Sequence, residues 1–243
     1  MARAAAAAPG RRARGRGGLA TEPWYHVCTT VGLPLPKLWF TWRFEDLEYI
    51  PAEGPAIVAA THVSYLDPFS TALAIIRRGR RPRFLAKAEL FRIPLVGRAL
   101  KGAGQIAVAR GTGDRRPLQE AEAALARGEI IAVYPEGTVT TRPDHLPKDG
   151  KTGAVRLALA TGAPIVPLAS WGSQAVWQKS GRGSLKFGRP VWVKAGTPID
   201  LGARAGDLDD AEAVRRMTED LMETLTSMAV DLRDRYPKRW AVG

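Results

Sequence analysis

The chain contains 243 residues with a mass of 26.3 kDa, a length that suits one domain. Hydrophobic residues make up 45% and charged residues 25%, which predicts a folded protein with a sizeable core and excludes disorder throughout. Lysine and arginine outnumber aspartate and glutamate by 36 to 24, so the net charge of +12 favours anionic partners such as nucleic acid, anionic lipid or phosphorylated metabolites. The single cysteine, Cys28, permits no internal disulfide and suits a reducing compartment.

Residues 1–22 consist almost entirely of Ala, Arg, Gly and Pro. A segment of this composition cannot bury apolar area, so we expect a disordered basic arm, which either is a solvated tail or contacts anionic lipid. Residues 23–243 are expected to form the domain. The sequence shows neither a secretory signal nor the roughly 18 uninterrupted apolar residues of a spanning helix. These features predict a peripheral protein on the cytoplasmic face of the cell membrane.

Residues 24–44 hold six of the 18 aromatic side chains of the chain. Cations are interleaved with these aromatics, and Pro34 and Pro36 divide the segment into two short pieces. Aromatics beside cations favour the headgroup layer of a bilayer, which predicts a membrane-interfacial helical segment. An N-terminal helix packed on the domain is an equally good interpretation, and the two are compatible.

From about residue 43, short apolar runs alternate with helical stretches. This alternation predicts a single α/β domain with a mixed, largely covered central sheet flanked by helices. The predicted strands are 56–61, 84–86, 105–109, 130–134, 165–169 and 191–194, and the predicted helices are 68–77, 114–127 and 152–160. Apolar residues spaced by three or four between Val214 and Leu232 predict one further long helix, which Pro237 ends.

The first candidate catalytic pair is His62 and Asp67. His62 follows a predicted buried strand, and open α/β sheets place ligands at the carboxyl ends of their strands. A turn there would bring the Asp67 carboxylate to one ring nitrogen of His62, leaving the other free to act as a general base. The alternative is that Asp67 caps the following helix, with Pro68 in its first turn, and that His62 is an ordinary loop histidine.

Glu136 and Gly137 lie in a tight turn after the strand that ends near Tyr134. Such a turn exposes backbone N–H groups that can hold an oxyanion or a phosphate, although it can equally be a plain turn. Basic residues at other predicted loop ends either face the same crevice or are scattered surface charges: Lys87, Arg110, Lys148 and Lys151. The three histidines and one cysteine show no zinc-site spacing, and no serine nucleophile motif occurs. This combination suggests direct activation of a substrate hydroxyl without a metal.

Four blocks between Ala56 and Ala169 together resemble the glycerolipid acyltransferase family, whose best-known members are the 1-acylglycerol-3-phosphate acyltransferases (the PlsC-like enzymes). His62-x4-Asp67 resembles the catalytic HxxxxD block. The other three blocks are Phe84–Leu90 with Pro94, Gly97, Gly104 and Arg110; Pro135-Glu136-Gly137-Thr138; and Ala163–Pro167.

The resemblance implies an enzyme of phospholipid biosynthesis that transfers a fatty acyl group to the hydroxyl of lysophosphatidate and forms phosphatidate. His62, oriented by Asp67, would deprotonate that hydroxyl. Lys87 and Arg110 would bind the acceptor phosphate, and Glu136, Gly137 and Thr138 would help to position it. No cofactor is implied, since acyl-CoA or acyl-carrier protein serves as co-substrate.

One position departs from the family. Many members carry Arg directly after Glu-Gly-Thr, where this chain has Val139. Either Arg142, Lys148 or Lys151 supplies the missing phosphate ligand, or the acceptor is another lysolipid or a glycolipid. A nucleic-acid-binding protein is the distant alternative; we expect no nucleic acid partner, because the aromatics and the densest arginine run lie in separate segments. Oligomeric state is open.

Overall fold

The computed structural model describes residues 34–109 and 111–241, except for the side chain of Ala205. The predicted basic arm at 1–22, residues 23–33 and Arg110 lie outside the described residues. Within them, seven strands form one sheet: β1 (Thr41–Glu45), β2 (Ala56–Ala60), β3 (Pro82–Lys87), β4 (Ile106–Val108), β5 (Ile130–Val133), β6 (Ile165–Trp171) and β7 (Pro190–Ala195). The predicted mixed sheet is thereby confirmed, and all six predicted strands are present.

The strand order is β1-β7-β6-β2-β5-β3-β4. The five strands from β6 to β4 in this order are parallel, whereas β7 is antiparallel to β6, and β1 is parallel to β7. The carboxyl ends of β2, β3, β5 and β6 therefore share one edge of the sheet with the beginnings of β7 and β1. We call this edge the catalytic edge, because His62, the predicted catalytic base, lies just beyond the end of β2 there.

Helices cover both faces of the sheet, and β2 shows the division residue by residue. The helices are α1 (Pro34–Trp39), α2 (Asp67–Arg77), α3 (Val96–Gly102), α4 (Arg116–Ala126), α5 (Gly153–Thr161) and α6 (Ala211–Arg235). Ile57 and Ala59 of β2 face the core shared with α4, α5 and α6. Val58 and Ala60 face the opposite core, which α2 covers. Every residue of β2 is buried, as expected for a central parallel strand covered on both faces.

The long carboxyl-terminal helix predicted from its apolar stripe is α6. Asp210 caps it, since its carboxylate accepts hydrogen bonds from the backbone N–H groups of Glu212 and Ala213. The buried residues of α6 include Val214, Leu221 and Leu232, which lie on one face against the sheet and α5. The stripe therefore has the packing role that its spacing predicts.

The prediction of a helical segment over 24–44 is wrong at its end and lies partly outside the described residues. Helix α1 ends at Trp39, and the chain then pairs with β7, with Thr41 opposite Pro190 and Glu45 opposite Lys194. Aromatic and β-branched residues in Thr41–Phe44 suit a strand, and β7, paired at positions 149 residues further along the chain, supplies the hydrogen-bonding partner. Within 34–109 and 111–241, no helix has both the length and the apolar character that crossing a bilayer requires.

Candidate active site

His62 and Asp67 meet at the catalytic edge. The Nδ1 atom of His62 lies 3.1 Å from Oδ2 of Asp67. The loop between β2 and α2 makes this contact possible, because the backbone N–H of Asp67 donates to the carbonyl of Ser64 and closes a tight turn. The pair that the spacing predicts is therefore brought together.

Asp67 has no exposed surface, and hydrogen-bond donors surround its carboxylate. Oδ2, the oxygen facing His62, also accepts the backbone N–H of Ser64 at 2.7 Å. Oδ1 accepts the hydroxyls of Ser173 at 2.7 Å and Ser170 at 3.2 Å. Four donors on two oxygens suit an ionised carboxylate, which only accepts hydrogen bonds. The alternative interpretation as a helix cap is wrong, because the N-cap residue of α2 is Leu66 and no side chain caps this end.

His62 is held by its ring and by its backbone. Its imidazole stacks on the ring of Tyr134, with centroids 4.1 Å apart and an interplanar angle of 22°. Its carbonyl accepts the backbone N–H of Thr140 at 2.7 Å. Because Asp67 accepts the proton on Nδ1, the Nε2 lone pair is left free to accept another proton. The side chain retains 14% exposure, so the ring is accessible at the edge of the sheet.

Tyr134 is itself fixed on both sides. Its hydroxyl lies 3.1 Å from the hydroxyl of Thr71 on α2, and its ring stacks on Phe84 of β3 at 6.4 Å. Burial raises the pKa of Tyr134 well above its ordinary value, with a further contribution from the negative charge of Asp67. The phenol is thus neutral and serves as a rigid platform under the imidazole.

Glu136 is 3% exposed, and both of its carboxylate oxygens accept backbone N–H groups. Oε1 accepts the N–H of His62 at 2.7 Å, and Oε2 accepts the N–H of Lys148 at 3.2 Å. Burial raises the pKa of Glu136 to about 7, although both hydrogen bonds act in the opposite direction. The Glu136 side chain therefore connects the backbone at His62 to the backbone at Lys148, which lies in the segment after the Gly137 turn.

Lys151 lies beside the turn at Gly137. The φ angle of Gly137 is 69°, a left-handed conformation that favours glycine, and a Cβ atom there would come within 3.2 Å of the Lys151 Cε. Thr138 follows the turn and is half-buried, whereas Val139 is buried at 1% exposure. Lys151 therefore supplies a cation next to the turn. It lies further along the chain than position 139, where many members of the family that the sequence resembles carry Arg.

The other predicted basic residues differ in their surroundings. Lys87 ends β3 at the catalytic edge, is exposed, and has its Nζ 3.5 Å from a carboxylate oxygen of Glu89. Arg142 is engaged by Asp144, with two hydrogen bonds of 2.9 and 2.6 Å. The backbone N–H of Lys148 donates to Oε2 of Glu136. Arg110 lies outside the described residues. Among the described residues, no group of three or more His, Cys, Asp or Glu side chains is arranged to hold a metal ion.

Four residues of this site were not predicted from the sequence: Ser170, Ser173, Tyr134 and Thr140. Ser170 and Ser173 lie over 100 positions from Asp67, at and just after the end of β6. Tyr134 directly precedes the Pro-Glu-Gly turn, so its position after a buried strand was an available signal. No local pattern marks the two serines, because only the parallel pairing of β2 with β6 brings them to Asp67.

The fold and the site define a class of protein: an α/β enzyme with a histidine–aspartate pair at the carboxyl ends of parallel strands. A family model described as Acyltransferase matches residues 41–171, more than half of the chain. The chain therefore belongs to the Acyltransferase family. This finding confirms the resemblance to an acyltransferase family, and the solved and curated relatives extend it to the glycerolipid acyltransferases.

Solved and curated relatives agree with this family. The crystal structure of the 1-acyl-sn-glycerophosphate acyltransferase PlsC from Thermotoga maritima is similar to this chain with a TM-score of 0.62 and 28% identity, covering 83% of this chain and 76% of that one. The 1-acyl-sn-glycerol-3-phosphate acyltransferase of Bacillus subtilis is 30% identical over 146 residues, 59% of this chain and 70% of the relative. A lyso-ornithine lipid O-acyltransferase of Pseudomonas aeruginosa is 35% identical over 117 residues, 47% of this chain and 42% of the relative.

Other relatives are longer proteins. An uncharacterized protein of Mycobacterium tuberculosis is 32% identical over 151 residues, which are 58% of this chain. The match spans 40% of the length of that relative. The similarity therefore concerns less than half of that relative.

Proposed function

We propose that this protein transfers a fatty acyl group from acyl-CoA to the free hydroxyl of lysophosphatidate, forming phosphatidate. The observation that supports this most directly is the contact between His62 Nδ1 and the buried Asp67 carboxylate, 3.1 Å long, with Nε2 left free at the catalytic edge. An oriented imidazole with a partly exposed ring is suited to take a proton from an alcohol.

In the proposed reaction, His62 Nε2 accepts the hydroxyl proton while the alcohol oxygen attacks the thioester carbonyl. Asp67 stabilises the resulting imidazolium through Nδ1. The tetrahedral intermediate then collapses, the carbon–sulfur bond breaks, and the thiolate of CoA takes the proton from Nε2. The products are the acylated lipid and free CoA, so His62 returns to its starting state without a covalent enzyme intermediate.

Binding of the acceptor is assigned to cations at the same edge. Lys151, next to Gly137, and Lys87, at the end of β3, are exposed and suited to an anionic headgroup. Glu136 is enclosed and accepts two backbone N–H groups, so we assign it to positioning His62 in place of direct contact with the acceptor.

Release of CoA tests the proposal. We expect a thiol reagent to detect CoA from palmitoyl-CoA when lysophosphatidate is present, and only background when it is absent. Replacing His62 with Ala removes the base and should reduce the rate by about 10²- to 10⁴-fold. Thermal unfolding should show that the variant is still folded, with a lower midpoint because Asp67 loses the Nδ1–H donor. Full activity in a folded His62→Ala protein would refute the assignment.

A second candidate acceptor is another lysolipid, such as a lyso-ornithine lipid. Val139 is buried at the position where many family members carry Arg, and the similar Pseudomonas aeruginosa protein is named for a lyso-ornithine lipid. A panel of lysophosphatidate, lyso-ornithine lipid and lysoglycolipid with one acyl-CoA separates the candidates by their relative kcat/KM. A parallel assay with acyl-carrier protein identifies the donor.

A further inference from the structure

A loop that follows β6 exposes large apolar side chains next to α1. Leu185 and Phe187 are 67% and 71% exposed, and the Trp39 ring packs edge-on against Phe187 with centroids 5.5 Å apart. The Trp39 indole N–H also donates to the Leu185 carbonyl at 2.7 Å, which joins the loop to α1. We call this surface the apolar platform; its members are Leu35, Leu38, Trp39, Trp177, Leu185 and Phe187.

The apolar platform lies at the catalytic edge. The loop joins β6 to β7, and α1 leads into β1, so both segments meet the sheet where β7 and β1 begin. Thr41 and Pro190, the first residues of these two strands, are paired. Because β6 is parallel to β2, this is the edge at which His62 follows β2.

Trp177 connects the apolar platform to the catalytic loop. Its carbonyl accepts both the Ser64 hydroxyl at 2.8 Å and the backbone N–H of Tyr65 at 3.1 Å. Its ring contacts that of Tyr65 edge-on at 5.3 Å. These contacts join the 177–188 loop to the turn that carries His62 and Asp67.

Cations accompany these apolar side chains, and carboxylates do not. Neither 34–40 nor 177–189 contains an Asp or Glu. Lys37, Lys179, Arg182 and Lys186 are exposed, and within 34–109 and 111–241 no carboxylate lies within ion-pair distance of any of them. Aromatic and aliphatic side chains surrounded by unpaired cations have the chemistry of a surface that enters the interface of an anionic bilayer.

We propose that the apolar platform docks on an anionic lipid bilayer, with the 177–188 loop as the inserting element beside α1. The proposal rests on the proposed function in one respect only. If the protein acylates a lipid, docking brings the hydroxyl of a lipid in that bilayer to His62 at the same edge. Trp39, Leu185 and Phe187 are exposed and joined to one another, and such groups of exposed apolar side chains are unusual on a surface that faces water alone.

Vesicle sedimentation with the full chain tests the loop directly. Phe187→Ser should weaken binding to vesicles of phosphatidylcholine and phosphatidylglycerol in equal amounts by about tenfold, because a phenyl ring no longer enters the interface. Tyr49→Ser is the matched control, since Tyr49 is an exposed aromatic in the turn after β1, at the opposite edge of the sheet. Equal binding of Phe187→Ser and wild type would overturn the proposal.

A second measurement locates the contact. Cys28 is the only cysteine, so a Cys28→Ser background allows a single environment-sensitive dye to be attached through Phe187→Cys or, as control, Tyr49→Cys. The dye at position 187 should shift to shorter wavelength on adding the anionic vesicles, while the dye at position 49 should not. A shift at neither position, or an equal shift at both, would contradict insertion of the loop.

Charge reversal tests the choice of an anionic surface. Lys179→Glu/Lys186→Glu should weaken vesicle binding by at least about tenfold, since each basic residue near such a surface contributes appreciably. The control Arg215→Glu/Arg216→Glu makes the same charge change in the first turns of α6 and should bind far more tightly than the loop variant. Equal losses in the two variants would show only a general effect of net charge.

Three further outcomes separate this proposal from others. If the mass in solution falls from dimer to monomer in Phe187→Ser, the platform is an interface between copies of this chain and the proposal is wrong. Acyl transfer to a monomeric, short-chain acceptor should be unchanged in Phe187→Ser. Absence of transfer by the wild type with every acceptor would refute the proposed function, while selective vesicle binding would still support docking.

Discussion

Ser173 donates a 2.7 Å hydrogen bond to Oδ1 of Asp67, the carboxylate oxygen that does not face His62. With Ser170 on the same oxygen, it offsets part of the cost of burying a carboxylate that has no exposed surface. The two hydroxyls also fix the rotation of the carboxylate, so that Oδ2 points at the imidazole.

Replacing Ser173 with Ala should destabilise the protein by about 1.5–3 kcal/mol, because a buried charged acceptor loses a donor. We also expect a lower kcat, because the carboxylate is no longer fixed in the rotation that points Oδ2 at the imidazole. Urea unfolding and steady-state kinetics measure the two effects. Ser70→Ala is the matched control: Ser70 is equally buried, but its hydroxyl donates to the backbone carbonyl of Asp67. An equal loss of kcat in both variants would contradict the role of Ser173.

Glu136→Ala should lower kcat by about 10²-fold with little change in KM for the acceptor. The reason is that the carboxylate holds the backbone of His62, and small displacements of a catalytic group are costly. Glu136→Gln, which retains an acceptor oxygen for the His62 N–H, should recover part of the loss. Steady-state kinetics with varied acceptor concentration measure kcat and KM separately. A large rise in KM in both variants would instead assign Glu136 to the acceptor.

The stability difference between wild type and Glu136→Gln should depend on pH. Burial raises the pKa of Glu136 to about 7 from 4.5, so the folded state retains a proton that unfolding releases. The wild type should therefore lose stability relative to the variant as pH rises from about 4.5 to about 7, by up to about 3 kcal/mol. Urea unfolding of both proteins at pH 5 and pH 8 measures this difference, since other titrating groups cancel. A difference independent of pH would show that Glu136 does not titrate in this range.

Lys151→Ala should raise KM for lysophosphatidate about tenfold, because the charge next to Gly137 is lost. Lys151→Arg should restore much of the binding. Lys101→Ala serves as the control, since Lys101 is an exposed lysine at the end of α3, near the amino end of β4. An unchanged KM in Lys151→Ala would remove this residue from the acceptor site.

The strands and long helices were predictable because their signals are local. The unbroken apolar run in Ala56–Ala60 and the three- and four-residue spacing in α6 each predict an element without knowledge of its partner. Strand β1 and helix α3 were missed. Thr41–Glu45 becomes a strand by pairing with Pro190–Lys194, and α3 is too short to display a helical period.

By itself, the sequence determined the α/β class, the family blocks and the His62–Asp67 spacing, because each depends on residues that are neighbours along the chain. Only the tertiary structure decided that Glu136 anchors the His62 backbone and that Ser173 supports Asp67. It also placed Phe187 beside Trp39. These contacts join residues 74 to 148 positions apart, and the order and direction of the strands, which no local pattern encodes, bring them together.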